Sequence, residues 1–135
     1  MNKIMMMLML SSLALFGADY KAFAKKMGYE TSYEKAFERA KKENKKVFFL
    51  MITNYCPWCS KLEKRVLVKQ EVDNAIKENY IPLIINKEEK NFPSKYKAAF
   101  TPVIFFVDAK NEEVSYSQVG YLKKSELLHL LKADN

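Results

Sequence analysis

Two cysteines occur in this chain, and they stand three residues apart in Asn54-Tyr55-Cys56-Pro57-Trp58-Cys59. On a helix, residues i and i+3 are neighbours, so the two sulfurs can bond without moving the backbone. The stretch before them, Val47 to Thr53, is a short continuous apolar run, the pattern of a strand buried on both faces. The stretch after them reads as a helix from Pro57 to about Val68. Cys56 then falls at the helix N-cap, with Pro57 in the first turn where a missing N–H costs nothing. Unpaired N–H groups and the positive end of the helix dipole favour a Cys56 thiolate, the attacking form in thiol–disulfide exchange. Cys59, one turn inside, is placed to resolve a mixed disulfide by intramolecular attack. Trp58 is expected to stand exposed beside the sulfurs as an apolar docking surface.

Other readings of the pair are weaker. A structural disulfide here closes a very short loop and constrains the unfolded chain little. A zinc site needs about four ligands, and the chain offers two cysteines and one histidine, His129, far along the sequence. His129 lies among leucines and reads as helix surface or packing. No metal and no cofactor is expected.

The surrounding elements follow from periodicity. Thr31-Ser-Tyr-Glu34 reads as a capping box with Thr31 as the cap, and Tyr33, Ala36, Phe37 and Ala40 recur at helical spacing up to about Asn44. A second amphipathic piece spans Glu71 to Asn79, followed by a strand over Ile81 to Ile85. Asn86 to Ala99 is polar and irregular, with a short helix expected around Ser94 to Ala98. Thr101-Pro102 opens another buried strand running to Val107. Glu112 to Val119 alternates in part and suits an edge strand. After Gly120, Ser125 to Leu131 closes the chain as an amphipathic helix. The order of elements is that of an α/β domain with about four strands.

The 135 residues suit one domain, and half of them are hydrophobic, enough for one core. A chain of this length needs no disulfide to fold. Lys3 is followed by thirteen uncharged residues, Ile4 to Phe16, and then Gly17-Ala18. A basic start, a short apolar core and small residues describe an export signal over residues 1–17, leaving 18–135 as the mature domain; an uncleaved N-terminal anchor or a buried core helix is the other reading. As a helix the apolar stretch rises only about 20 Å, short of the roughly 30 Å hydrocarbon core. The expected location is the periplasm or outside the cell, with no stable membrane insertion after cleavage. The net charge of +7 comes from dispersed lysines interleaved with glutamates, not from a basic stripe with aromatics. No nucleic-acid partner is expected.

The run from Phe48 to Cys59, then Phe100-Thr101-Pro102, then Gly120 before the last helix, resembles a thioredoxin-fold protein over about residues 31–132, which implies a central mixed sheet of about four strands flanked by helices. The Tyr-Glu-x-Ala-x-x-x-Ala-Lys helix, the Asn-Lys-Lys-Val strand entry and Cys-Pro-Trp-Cys are more narrowly similar to small secreted bacterial thioredoxin-like proteins. The domain that passes electrons out of the inner-membrane thiol–disulfide interchange protein is similar too. The resemblance implies a cis peptide at Thr101-Pro102 packed against the disulfide, with the Thr101 backbone presenting the substrate strand. It implies a protein thiol–disulfide oxidoreductase, reductase or isomerase rather than oxidase, acting on cysteine-containing exported proteins and recycled by a redox partner. A redox-inactive binding or chaperone module is the rival, and the intact cysteine pair speaks against it. No added dimerisation domain is apparent, so a monomer is expected. The chain also departs from the pattern. Cytosolic thioredoxins carry a buried aspartate six residues before the first cysteine, and here that position is Leu50. Glu63, a turn past Cys59, is a candidate for the missing proton work, although a solvated surface glutamate is the favoured reading.

Overall fold

The computed structural model describes residues 19–135; the expected export segment, 1–17, lies outside them. Helix α1 spans Asp19–Met27 and α2 Tyr33–Glu43, before strand β1 over Lys46–Ile52. Helix α3, Pro57–Leu62, continues into a π-helical turn at Glu63–Leu67, and α4 follows over Gln70–Asn79. Then come β2 (Tyr80–Asn86), β3 (Val103–Val107), β4 (Val114–Val119) and α5 (Lys124–Ala133). The strands form one mixed sheet in the order β2-β1-β3-β4. β1 pairs parallel with β2 and antiparallel with β3, and β3 pairs antiparallel with β4.

Central β1 shows why its sequence is an unbroken apolar run. Alternate side chains leave opposite faces of a strand, and here both faces are covered. Phe48, Leu50 and Ile52 enter one core with Tyr20 and Phe23 of α1, Cys59 and Leu62 of α3, Ile76 of α4 and Leu127 and Leu131 of α5. Val47, Phe49 and Met51 enter a second core with Tyr33, Ala36, Phe37 and Ala40 of α2, and with Tyr96. Each phenylalanine so buried contributes about 1.5–3 kcal/mol. β4 lies at the edge, as expected of that stretch, but Val114, Tyr116 and Val119 are exposed, so its partial alternation marks no buried face. β2 forms the other edge. It carries Pro82 where an edge tolerates the missing donor, and Glu30 runs alongside, its N–H donating to Pro82 O and its carbonyl accepting from Ile84.

Four expectations need correction. Helix α1 lies outside the expected elements, yet Tyr20, Phe23 and Ala24 are buried in the core, and its last carbonyl accepts from Lys77 Nζ at 2.6 Å. The cap of α2 is Ser32, one residue later than expected: its Oγ accepts from Lys35 N at 3.3 Å. The helix expected around Ser94 to Ala98 does not form; a 3-10 turn at Lys87–Glu89 takes up the chain after β2 instead. Asn86 caps that turn, accepting from Glu88 N at 3.0 Å. The strand expected from Thr101 starts at Val103, because Thr101-Pro102 is a cis peptide that precedes it.

Candidate active site

β1 ends at Ile52, and the chain turns through Thr53 to Tyr55 into α3. Tyr55 takes a positive φ of 53°, which swings the backbone into the helix and leaves its ring 98% exposed. Cys56 is the N-cap of α3, extended at φ −109°, and its Sγ accepts from Cys59 N at 3.2 Å. Pro57 is the first helical residue. Cys56 and Cys59 form a disulfide with Cα atoms 5.2 Å apart. Cys56 is half-buried, whereas Cys59 is 4% exposed and belongs to the core between sheet and α1. The outer sulfur is thus reachable and the inner one shielded, an asymmetry that suits an attacking and a resolving thiol.

The Thr101-Pro102 cis peptide faces the outer sulfur. Thr101 Oγ1 lies 3.4 Å from Cys56 Sγ and donates to it in the disulfide form, while Thr101 O is 3.7 Å away. Pro102 is buried, and its carbonyl accepts from Gly120 N at 2.7 Å. That bond ties the loop to the end of β4. Trp58 is 54% exposed, with the Tyr121 ring tilted beside it at 5.7 Å between ring centroids and Lys61 Nζ 4.3 Å over its face. The structure therefore gathers Cys56, Pro57, Trp58, Cys59, Thr101 and Pro102 around one disulfide. His129 is exposed on α5.

The description of one matching family, the thioredoxin-like domain, covers residues 33–134. The chain belongs to that family. Solved structures agree on the thioredoxin-like architecture. A thioredoxin from Thermus thermophilus superposes with a TM-score of 0.70 at 19% identity, covering 78% of this chain and 85% of that one. The C-terminal domain of DsbD from Neisseria meningitidis, in the reduced form, gives 0.63 at 19%, covering 76% and 93%. A candidate disulphide-isomerase from Bacteroides thetaiotaomicron gives 0.65 at 28% identity, covering 76% and 87%. Among curated sequences, an uncharacterized protein of Borreliella burgdorferi is 31% identical over 97 residues, which is 72% of this chain and 42% of that protein. Spermatogenesis-associated protein 20 of Rattus norvegicus is 32% identical over 52 residues, 38% of this chain and 7% of that protein. The thioredoxin-like chain thus spans less than half the length of these curated relatives.

Some residues at or near the site escaped the sequence reading. Phe100, 75% exposed just before the cis peptide, and Tyr55 add two aromatic rings beside the disulfide. Nothing in periodicity marks a loop aromatic as exposed. Glu63 is the other case, and it overturns the favoured reading: the residue is 6% exposed, not solvated. A signal was present, since Cys59, Leu62, Glu63 and Val66 follow the i, i+3, i+4, i+7 spacing of one helix face. All four are buried. Leu50, fully buried on β1, brings no acid to that side.

Proposed function

We propose that this chain is a protein thiol–disulfide oxidoreductase that acts on exported proteins, as a reductase or isomerase. The observation that carries the reading is the Cys56–Cys59 disulfide at the N-terminus of α3, its outer sulfur facing the Thr101-Pro102 cis peptide. In the reducing direction the Cys56 thiolate attacks a substrate disulfide, forming a mixed disulfide and releasing one substrate thiolate. Cys59 then attacks Cys56 Sγ, the second substrate thiolate leaves, and two electrons have passed from the cysteine pair to the substrate. A redox partner of the same chemistry restores the dithiol. Thr101 and Pro102 present the substrate strand, and the exposed rings of Tyr55, Trp58 and Phe100 offer it apolar contact. Residues 1–17 act as the export signal and place the domain in the periplasm or outside the cell. The likeness to the DsbD domain and to the Bacteroides protein supports the reducing or isomerising direction.

The test is a trap. With Cys59→Ser nothing expels the substrate, so Cys56 should stay linked to partners in bands that disappear with reductant. The Cys56→Ser, Cys59→Ser double variant should form none. If the single variant, expressed with its own export segment, traps nothing while the double variant still captures partners, the chain is a binding module instead.

A further inference from the structure

The two edges of the sheet differ in their protection. At β2, Glu30 bridges to Leu83, and the strand carries Pro82, both devices that close an edge to other chains. β4 has no such cover, and among the described residues no segment pairs with its outer side. Its six residues, Val114–Val119, include no charge and no proline, although lysine and proline are the usual guards of an open edge. Gly120 N donates to Pro102 O, and the backbone groups of an antiparallel strand face its neighbour at alternate residues. Gln118, opposite Ile104, therefore turns its N–H and carbonyl toward β3, while Ser117 and Val119 turn theirs outward. The Val119 carbonyl accepts from Gln118 Nε2 at 3.2 Å, an exposed contact from the strand's own side chain. The pairing is irregular only at its far end, beside Phe106 and Val107, so Tyr116 to Val119 form a regular edge.

This open edge is continuous with the disulfide. β4 runs toward it: Val119 pairs with Val103, Gly120 is bonded to the cis proline, and Tyr121 lies beside Trp58. A strand added to β4 lies two strand spacings, about 10 Å, from the line of β3, and about three extended residues cover that distance. Two copies pairing through β4 share a strip about 20 Å long and about 10 Å thick, roughly 200 Å² each. That is far below the roughly 800 Å² per partner of a stable complex. A client already bonded to Cys56 needs no such area, because the disulfide makes the second contact intramolecular. Resting on the exchange reading above, we propose that the outer edge of β4 is a docking strip for the client segment that follows the reacting cysteine. About three residues after that cysteine, the client adds to β4 as an antiparallel fifth strand. Since β4 runs toward the site, an antiparallel strand runs away from it, which selects the side C-terminal to the client cysteine. Its backbone groups meet those of Ser117 and Val119, and a client N–H replaces Gln118 at the Val119 carbonyl. The client class is an exported polypeptide not yet folded, since folded proteins keep few open, uncharged strands.

The test is an exchange equilibrium on the full chain carrying Cys59→Ser, with Cys56 linked to glutathione. A peptide thiolate attacks Cys56 Sγ, glutathione leaves as its thiolate, and nothing is oxidised or reduced overall. Intact mass then gives the ratio of the two adducts. The forward probe is acetyl-Cys-Ser-Gly-Ser-Thr-Val-Thr-Val-Thr-amide. The reverse probe has the same residues in the opposite order, and a third probe has proline for both valines of the forward one. The forward probe should displace glutathione about tenfold more favourably than either of the others, as a few net backbone hydrogen bonds allow. Ser117→Pro removes an outward N–H where an edge strand tolerates proline, and should bring the forward and reverse probes within about twofold of each other. If that variant does not fold, Val119→Lys, an edge lysine, takes its place with the same reading. Equal displacement by the forward and reverse probes, or a preference that survives the edge substitution, overturns the proposal. So does a dimer in sedimentation at the assay concentration that the edge substitution disperses, since a second copy then holds the strip. If Cys56 exchanges with no probe at all, the exchange reading itself fails and this one falls with it.

Discussion

Replacing Thr101 by Val tests whether the cis-peptide loop tunes the outer sulfur. The substitution keeps a β-branched side chain and removes the hydroxyl that lies 3.4 Å from Cys56 Sγ. In the reduced protein that hydroxyl donates to the Cys56 thiolate, alongside the N–H of Cys59 at 3.2 Å. A hydrogen bond to a charged group contributes about 1.5–3 kcal/mol, and sulfur, a soft and distant acceptor, belongs at the low end. At about 1.4 kcal/mol per pKa unit, loss of the hydroxyl should raise the Cys56 pKa by about one unit. The Thr101 carbonyl, 3.7 Å away, remains in the variant and does not blur the comparison. The thiolate fraction near neutral pH falls up to about tenfold, while the more basic thiolate gains about threefold in intrinsic reactivity. Alkylation of Cys56 by iodoacetamide should therefore slow by only about threefold. The pKa is read directly from the thiolate absorbance of the reduced protein against pH, and the alkylation rate provides the cross-check. A Cys56 pKa within about 0.3 unit of the unaltered protein refutes the reasoning, because the shift would then be smaller than about 0.4 kcal/mol.

Other expectations follow from the fold. Phe23→Ala should lower stability by about 3 kcal/mol in chemical denaturation, since its buried ring joins α1 to the core around Cys59. Ser32→Ala should cost about 1 kcal/mol while Thr31→Ala, one residue away and exposed, costs far less; equal costs would return the cap to Thr31. Burial raises the phenols of Tyr29, Tyr33 and Tyr80 above their ordinary value of 10.0, helped by Asp73 and Glu63 at Tyr29, Glu112 at Tyr33 and Asp134 at Tyr80. Their contribution is complete below pH 10 and is lost as pH rises beyond it, where the unfolded tyrosines ionise and the folded ones do not. Stability should then fall by about 1.4 kcal/mol per pH unit for each such tyrosine. The tyrosinate absorbance of these three buried rings should appear together with unfolding, not before it.

The sequence made the site's outline legible because its chemistry is local. Cys56, Pro57 and Cys59 lie within one helical turn, and the apolar run before them has the pattern of a doubly covered strand. What escaped depends on contacts distant in sequence. Tyr20, Phe23 and Ala24 have helical spacing, but a nine-residue helix beside a much more apolar segment is inconspicuous, and α1 is held by the sheet and by Lys77. Thr31 and Ser32 are both good caps, and the choice between them falls to the burial of Tyr33 in the second core. The polar stretch after β2 contains Tyr96, buried against Tyr33 and Phe49; tertiary packing anchors that segment without making it helical. Glu63 is inconspicuous as a core residue because its charge masks its position on the buried helix face.

Trp58 is the chain's one tryptophan, and it sits between the two cysteines with an ammonium over its ring and a tyrosine at its side. Any light emitted by tryptophan in this molecule therefore originates at the disulfide and nowhere else. A disulfide is an effective quencher of an adjacent excited indole, whereas a pair of thiols quenches less. The oxidation state of the protein can thus be followed continuously, without a label, as a change in brightness. Binding at the same face should register as a change in emission colour, because a covered indole loses its water.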